Sequence, residues 1–162
     1  SNTKLASGIA PITRFLEKGI CVGIGTDGAS SNNCLDMFRE MFLTTGLAKL
    51  RDQDASAVAP EEVLKMATTN GARAMGLTDC DVLAEGKKAD LIMIDLHQPN
   101  MQPLNNIAKN IVYSGSKTNV KLTMIDGKIL YRDGKYLCCD DPEKLYAKAN
   151  EIIARLSREA GV

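Results

Sequence analysis

The segment that most constrains the fold is a short apolar run between two amphipathic helices. Residues 20–26, with the sequence ICVGIGT, are almost continuously apolar, which is typical of a strand buried on both faces in a parallel sheet. Apolar side chains recur at helical spacing in residues 9–18 before this run and in residues 35–50 after it. Gly19 supplies a left-handed cap for the first helix. A helix, a buried strand and a second helix predict an α/β fold.

Proline and glycine mark two further helices. Pro60 is predicted to be the first residue of one helix, because proline has no amide hydrogen and this position does not need one. Gly71 is predicted to break or kink that helix, and Gly76 to cap its last turn. The final helix is predicted to begin at Pro142, to carry one apolar stripe and to end near Gly161.

From residue 80 onward the pattern is that of β-structure. Strands are predicted at 89–95 and 110–114, and a meander of antiparallel strands over 121–136. Asp-Gly pairs at 126–127 and 133–134 indicate tight hairpins, since both central positions of such a turn need positive φ. The second half of the chain is therefore predicted to form a small antiparallel sheet.

Composition narrows the classes of function. The 162 residues carry 20 basic and 20 acidic side chains, so no net positive charge favours nucleic acid or an anionic membrane as partner. No apolar stretch is long enough to span a bilayer, and the first residues lack the features of a signal peptide. We therefore expect a cytoplasmic protein that binds neither nucleic acid nor membrane.

The supply of metal ligands is small. The chain contains one histidine, His97, and five cysteines with no Cys-x-x-Cys spacing. A zinc site usually takes about three or four protein ligands, of which imidazole is the commonest. This chain alone is therefore poorly equipped to form one.

A glycine-rich loop follows the apolar run and allows two interpretations. Residues 23–28 match the dinucleotide pattern G-x-G-x-x-G, but two of the glycines lie inside the apolar run, and helix is predicted where the second strand should follow. The stronger candidate is Asp27, a carboxylate at the C-terminal end of a buried strand, where ligands gather in α/β barrels. The alternative is structural, because aspartate also forms turns and caps helices.

Several motifs follow one another from the first residue to about residue 92. They are K-L-A-S-G at 4–8, G-T-D-G at 25–28, S-N-N-C-L-D-M at 31–37, M-A-T at 66–68, G-A-R-A at 71–74 and E-G-K-K-A-D-L-I at 85–92. In this order they resemble the C-terminal portion of metal-dependent amidohydrolases. The most similar subgroup comprises 5-methylthioadenosine/S-adenosylhomocysteine deaminases and chlorohydrolase-like proteins.

The resemblance implies an α/β architecture with two parts. Residues 1–78 would form the C-terminal segment of a (β/α)8 TIM barrel, with 20–26 as its last strand. Residues 79–140 would form part of a small composite β domain, and residues 141–162 a helix that packs back against the barrel. Gly28 would let the chain turn sharply beside the metal.

The resemblance also implies a reaction. The parent enzyme would be a hydrolase acting on non-peptide carbon–nitrogen bonds in cyclic amidines. It would use zinc or another divalent metal to deaminate an adenine nucleoside such as 5-methylthioadenosine or S-adenosylhomocysteine. Asp27 would be a metal ligand, the catalytic group that carries a proton to the departing amine, and a contact to the substrate. Alternatives are a guanine deaminase or triazine chlorohydrolase-like enzyme, or a noncatalytic α/β module.

The family's histidine ligands precede the motifs found here. We therefore expect a C-terminal fragment that neither retains the metal nor is active by itself. Its expected partners are the N-terminal remainder of the same enzyme and, through it, a small nucleoside or heterocycle. A homo-oligomer of the chain is a further expectation.

Overall fold

A computed structural model describes residues 1–139 and 141–161 as a mixed α/β fold. The helices are α1 (Asn2–Leu5), α2 (Ile12–Glu17), α3 (Met37–Asp52), α4 (Pro60–Ala67), α5 (Thr69–Ala74), α6 (Ile107–Lys109) and α7 (Pro142–Ala160). The strands are β1 (Leu91–Ile94), β2 (Val120–Ile125), β3 (Lys128–Arg132) and β4 (Lys135–Tyr136). The predicted helices at 9–18 and 35–50 are thus confirmed with shifted ends.

The segment 20–26 is extended, but it has no strand beside it in the described part of the chain. Its hydrogen bonds go instead to the α4–α5 junction. The Ile24 amide donates to the Met66 carbonyl oxygen at 3.0 Å, and Asn70 Nδ2 donates to the Val22 carbonyl oxygen at 3.1 Å. The prediction of burial on both faces was wrong: Val22 and Ile24 are half-buried, whereas the residues that alternate with them are exposed. A parallel strand needs neighbours from distant sequence, and the described residues supply none.

Helices α4 and α5 are separated at Thr68, not at Gly71 as predicted. Thr68 leaves the helical region with φ −126° and ψ −97°, and this break frees the Met66 carbonyl for the bond to Ile24. Gly71 is helical and serves close packing. A Cβ atom on Gly23 would lie 3.2 Å from the Gly71 Cα, so the extended segment approaches the helix to a distance that a side chain would obstruct.

The sheet has the antiparallel order β1-β2-β3-β4, as the meander predicts. Its hairpins have positive φ at Asp126 (49°) and Gly127 (75°), and at Asp133 (47°) and Gly134 (84°). These values confirm the Asp-Gly turns. Leu91 pairs with Met124 at one end of the sheet.

The strand predicted at 110–114 was wrong, because this segment is a π-helical turn that continues α6. The Asn106 side chain caps α6 by accepting from the Lys109 amide at 2.8 Å. Val112 in the π turn is buried in the main core. A short apolar run is compatible with a strand and with a buried helix. Here the segment packs onto α3 and α4 and is helical.

One hydrophobic core joins the helices to the segment 107–114. Its buried members are Phe38, Met41, Ala48, Val58, Val63, Met66 and Val112, and Val22, Ile24, Ile94 and Val120 pack against them. The core thus receives residues from both sides of the predicted boundary at 78/79, and the division into domains stays a prediction.

Helix α7 begins as predicted, with the Asp141 side chain accepting from the Glu143 amide at 3.0 Å. It ends at Ala160 and is capped by Gly161, which has φ 72°. None of its residues is buried, and its packing against a barrel stays a prediction. In residues 1–139 and 141–161, no helix is both long and apolar enough to cross a bilayer.

Candidate active site

Asp27 lies where the extended segment ends and the polar loop 27–36 begins. Both of its carboxylate oxygens accept hydrogen bonds from this loop. The Gly28 amide donates to Oδ1 at 2.7 Å, and the Ser31 hydroxyl donates to Oδ2 at 2.8 Å. The side chain is otherwise exposed, so these donors set its orientation.

The sharp turn expected at Gly28 occurs at Asp27 itself. Asp27 has φ 63°, in the left-handed region that aspartate tolerates better than most residues with a side chain. This conformation brings the Gly28 amide close to the carboxylate of the preceding residue.

The hydrogen-bond donors around Asp27 keep it ionised. They lower its pKa to about 2, with the largest contribution from the Ser1 hydroxyl, followed by the Gly28 amide and the Ser31 hydroxyl. Ser1 Oγ makes no hydrogen bond of regular geometry, so the bonds from Gly28 and Ser31 are the ones that the atomic positions support. A carboxylate bound by several donors favours its charged form, and at neutral pH Asp27 is an anion.

The loop is fastened to α3 through a buried asparagine. Asn32 Nδ2 donates to Glu40 Oε1 at 2.6 Å, and the Cys34 amide donates to Asn32 Oδ1 at 3.1 Å. Asp36 then caps α3 by accepting from the Phe38 amide at 3.0 Å. Sequence reasoning did not identify Glu40, because no periodic pattern connects it to an asparagine eight residues earlier.

A cleft of about 300 Å³ opens beside Asp27. Its walls come from the first fifteen residues, from the segment 22–25 and from α3. Ile9, Phe15 and Leu47 contribute apolar surface, and Glu40 reaches the cleft from α3. The candidate carboxylate therefore borders a concave surface of mixed character.

Asp27 can contribute one ligand to a metal. Among residues 1–139 and 141–161, no group of three or more His, Cys, Asp and Glu side chains is arranged to hold an ion. His97 follows β1, and its amide donates to Asp95 Oδ1 at 2.8 Å within a local turn. A carboxylate oxygen suits zinc as one ligand of about four, so the described residues fit part of such a site and do not complete it.

Solved structures share this fold. An adenosine deaminase from Xanthomonas campestris with bound zinc is 35% identical, with a TM-score of 0.92 over 97% of this chain and 36% of that chain. An atrazine chlorohydrolase from Arthrobacter aurescens complexed with zinc is 26% identical, with a TM-score of 0.86 over 94% of this chain and 34% of that chain. The fold is thus the equivalent of about a third of an amidohydrolase TIM-barrel protein.

The sequence matches agree with this class. The model of the Amidohydrolase family matches residues 1–130, and the chain belongs to that family. A 5'-deoxyadenosine deaminase of Methanosarcina mazei is 41% identical over 97% of this chain and 37% of its own length. A 5-methylthioadenosine/S-adenosylhomocysteine deaminase of Nitratidesulfovibrio vulgaris is 48% identical over 88% of this chain and 32% of its own length. The chain therefore spans about a third of the relatives it matches.

Proposed function

We propose that this chain supplies the Asp27 side of the active site in a divalent-metal-dependent hydrolase that deaminates an adenine nucleoside, such as 5-methylthioadenosine or S-adenosylhomocysteine. The observation that carries the proposal is the ionised Asp27 carboxylate, held by Gly28 and Ser31 at the end of the segment 20–26. Identities of 41% and 48% to deaminases, against 26% to the chlorohydrolase, favour deamination over dechlorination.

Asp27 would hold the metal through a carboxylate oxygen. Each oxygen accepts one hydrogen bond from the loop, and a carboxylate has about two acceptor positions per oxygen, so both oxygens keep capacity for a metal or a proton. When bound, zinc supplies Lewis-acid chemistry that activates water near neutral pH. Asp27 would take a proton from the attacking water and release it to the departing amine.

The test uses a complete barrel that contains this chain. It can be made by joining this chain to the complementary two-thirds of the Nitratidesulfovibrio vulgaris relative. Asp27→Asn keeps the shape of the side chain and removes its charge, and we expect deamination of 5-methylthioadenosine to fall by about 10²–10⁴-fold. Ser30→Ala, in the same exposed loop, should stay within about threefold, as expected for a position outside the chemistry.

The assay follows the loss of adenine absorbance together with the zinc content of each variant. A folded, zinc-loaded Asp27→Asn enzyme that deaminates at the rate of the Ser30→Ala control would contradict the proposal. The cytoplasmic location, the N-terminal remainder as partner and the possible homo-oligomer stay predictions.

The chain by itself is expected neither to bind zinc tightly nor to deaminate, because Asp27 is one ligand where about four are needed. Calorimetric titration of zinc into metal-free chain tests the first statement. Stoichiometric binding at micromolar zinc would show that the chain holds a site of its own.

A further inference from the structure

The orientation of the Asp27 carboxylate depends on the loop that follows it. The side chain is exposed, so packing does not restrict it. Its regular hydrogen bonds come from Gly28 and Ser31. Whatever fixes these two residues in space therefore also fixes the direction in which the carboxylate points.

Asn32 is the buried residue that connects the loop to α3, while Lys4 Nζ donates to Asn33 Oδ1 at 2.7 Å on its exposed side. Asn32 is 6% exposed, and every other described residue from 27 to 36 is exposed or intermediate in burial. Its amide donates to the Gly28 carbonyl at 2.8 Å, and the Ser31 amide donates to the same oxygen at 3.2 Å. Asn32 thereby closes the turn that carries both donors to Asp27.

The side chain of Asn32 connects this turn to a rigid element. Its Nδ2 atom lies 2.6 Å from Glu40 Oε1, and Glu40 is on the first turn of α3. The neighbouring residue Met41 is buried in the core, so α3 cannot move without disturbing it. A hydrogen bond to a charged acceptor is stronger than a neutral one, and breaking it at a buried site leaves polar groups unpaired.

We propose that the Asn32–Glu40 hydrogen bond is a positioning device for the Asp27 carboxylate. The hydrogen bonds to the Asp27 carboxylate come from Gly28 and Ser31, so Asn32 and Glu40 would act on it through these two residues. Asn32 and Glu40 hold the turn that holds Gly28 and Ser31, and these two hold the carboxylate. The effect on metal binding rests on the proposed function of Asp27. The hydrogen bonds that connect Asn32 and Glu40 to the Asp27 carboxylate are present in the chain without metal.

A swap of donor and acceptor tests the connection. Asn32→Asp removes the Nδ2 donor and places two carboxylates together. Glu40→Gln keeps an acceptor for Asn32. The double variant N32D/E40Q restores one hydrogen bond in the reversed direction, and in each case Oδ1 of residue 32 can still accept from Cys34.

The first measurement is amide hydrogen exchange in the chain itself, read at residues 28 and 32. We expect N32D to accelerate exchange by about tenfold or more, and both E40Q and the double variant to stay within about threefold of wild type. Glu40→Ala removes the acceptor without placing two charges together, and it should loosen the loop as N32D does. Unchanged exchange in E40A and N32D, or failure of the double variant to restore protection while core amides remain protected, would overturn the proposal.

The second measurement is zinc affinity in the complete barrel. Loss of a group that orients a metal ligand typically weakens metal binding by about 10–100-fold, so we expect this loss in N32D and recovery in N32D/E40Q. If exchange follows the expected order but zinc affinity is unchanged even in Asp27→Asn, the function proposed for Asp27 is wrong and the positioning of its side chain stands. If exchange does not respond to N32D and E40A, the positioning is wrong whatever zinc does.

Discussion

The four-stranded sheet and the extended segment 20–26 obtain their hydrogen bonds in different ways. Each strand of the sheet pairs with a strand adjacent to it in the sequence. The segment 20–26 has no strand beside it in the described residues and is held by Met66 and Asn70 from the α4–α5 junction. Antiparallel strands can be joined by tight turns, whereas a parallel strand needs a crossover from distant sequence. The part of the sheet from β2 to β4 therefore depends on local sequence, whereas β1 pairs with β2 across residues 95–119. The segment that leads to Asp27 depends on packing against helices.

The largest effect is expected where this helix packing is lost. Met66 has no exposed surface, and truncating a buried methionine to alanine costs about 2–5 kcal/mol. Met66→Ala should lower the free energy of unfolding in urea by this amount, and it should accelerate amide exchange at Ile24 more than in β2. Met75 is 75% exposed, so Met75→Ala should change stability by less than about 0.5 kcal/mol. Equal effects of the two substitutions would contradict this explanation.

A smaller effect is expected from one added methyl group on the extended segment. Gly23→Ala places Cβ 3.2 Å from the Gly71 Cα, and overpacking of this kind costs about 1–3 kcal/mol. A Cβ atom on Gly25 would meet open space, with nothing within 4 Å, so Gly25→Ala serves as the matched control. Thermal unfolding of both variants checks the difference, and equal melting temperatures would show that the segment does not depend on its approach to α5.

In the sheet, the corresponding test is on a turn. Gly127 has φ 75°, and an alanine held in the left-handed region costs about 1 kcal/mol. Gly127→Ala should reduce the free energy of unfolding by that amount and loosen β2 and β3, while the Ile24 amide keeps its protection. Asp126→Asn keeps a residue that tolerates positive φ and should be near neutral. Equal loss of protection at Ile24 would mean that the two regions open together.

The smallest effect comes from an ion pair in the connection between the two regions. Lys87 first, and then Arg73, donate hydrogen bonds that hold the pKa of Asp81 below its ordinary value. An aspartate with a lowered folded pKa stabilises the fold above its unfolded pKa, and this contribution is lost as the pH falls through the folded pKa.

Asp81→Asn should therefore flatten the decline of the free energy of unfolding between about pH 5 and pH 2. The measurement is urea unfolding across this range. The Asp81 side chain is 4% exposed, but Arg73 and Lys87 are 56% and 29% exposed at their side chains, so solvent screens both cations and the change in slope should be small. An unchanged slope in Asp81→Asn would assign the acid sensitivity to other carboxylates, among them Asp27.

Local signals explain what could be predicted from the sequence. Both Asp-Gly turns have the positive φ values that their residues favour, and the Asp141 cap forms where α7 was expected to begin. The prediction of a strand at 110–114 was wrong because its apolar residues suit a strand or a buried helix equally. The packing of this segment against α3 and α4 determines that it is helical. The hydrogen bonds of the segment 20–26 could not be predicted, because their partners, Met66 and Asn70, lie far away in the sequence.

The candidate site shows the same limit. The position of Asp27 at the end of the segment 20–26 was predicted from the apolar run and from the resemblance to amidohydrolases. The contact between Asn32 and Glu40 was not predicted. The two residues are eight positions apart, one in a loop and one at the start of a helix, and no periodic sequence pattern connects them. The left-handed conformation of Asp27 was also missed, since a following glycine is the more usual position for it.

The break at Thr68 has a consequence for where this chain accepts extra residues. An insertion rotates the rest of a helix by about 100° per residue, so one residue added between Met66 and Asn70 would separate the carbonyl and the amide group that hold the extended segment. The exposed turn at 53–56 makes no hydrogen bond to the extended segment: the Ser56 amide donates to Asp54 Oδ1 at 2.8 Å, and Lys49 Nζ donates to the Ala55 carbonyl at 2.6 Å. A fluorophore or an affinity peptide can therefore be inserted in the turn at 53–56. The α4–α5 junction should keep its native length.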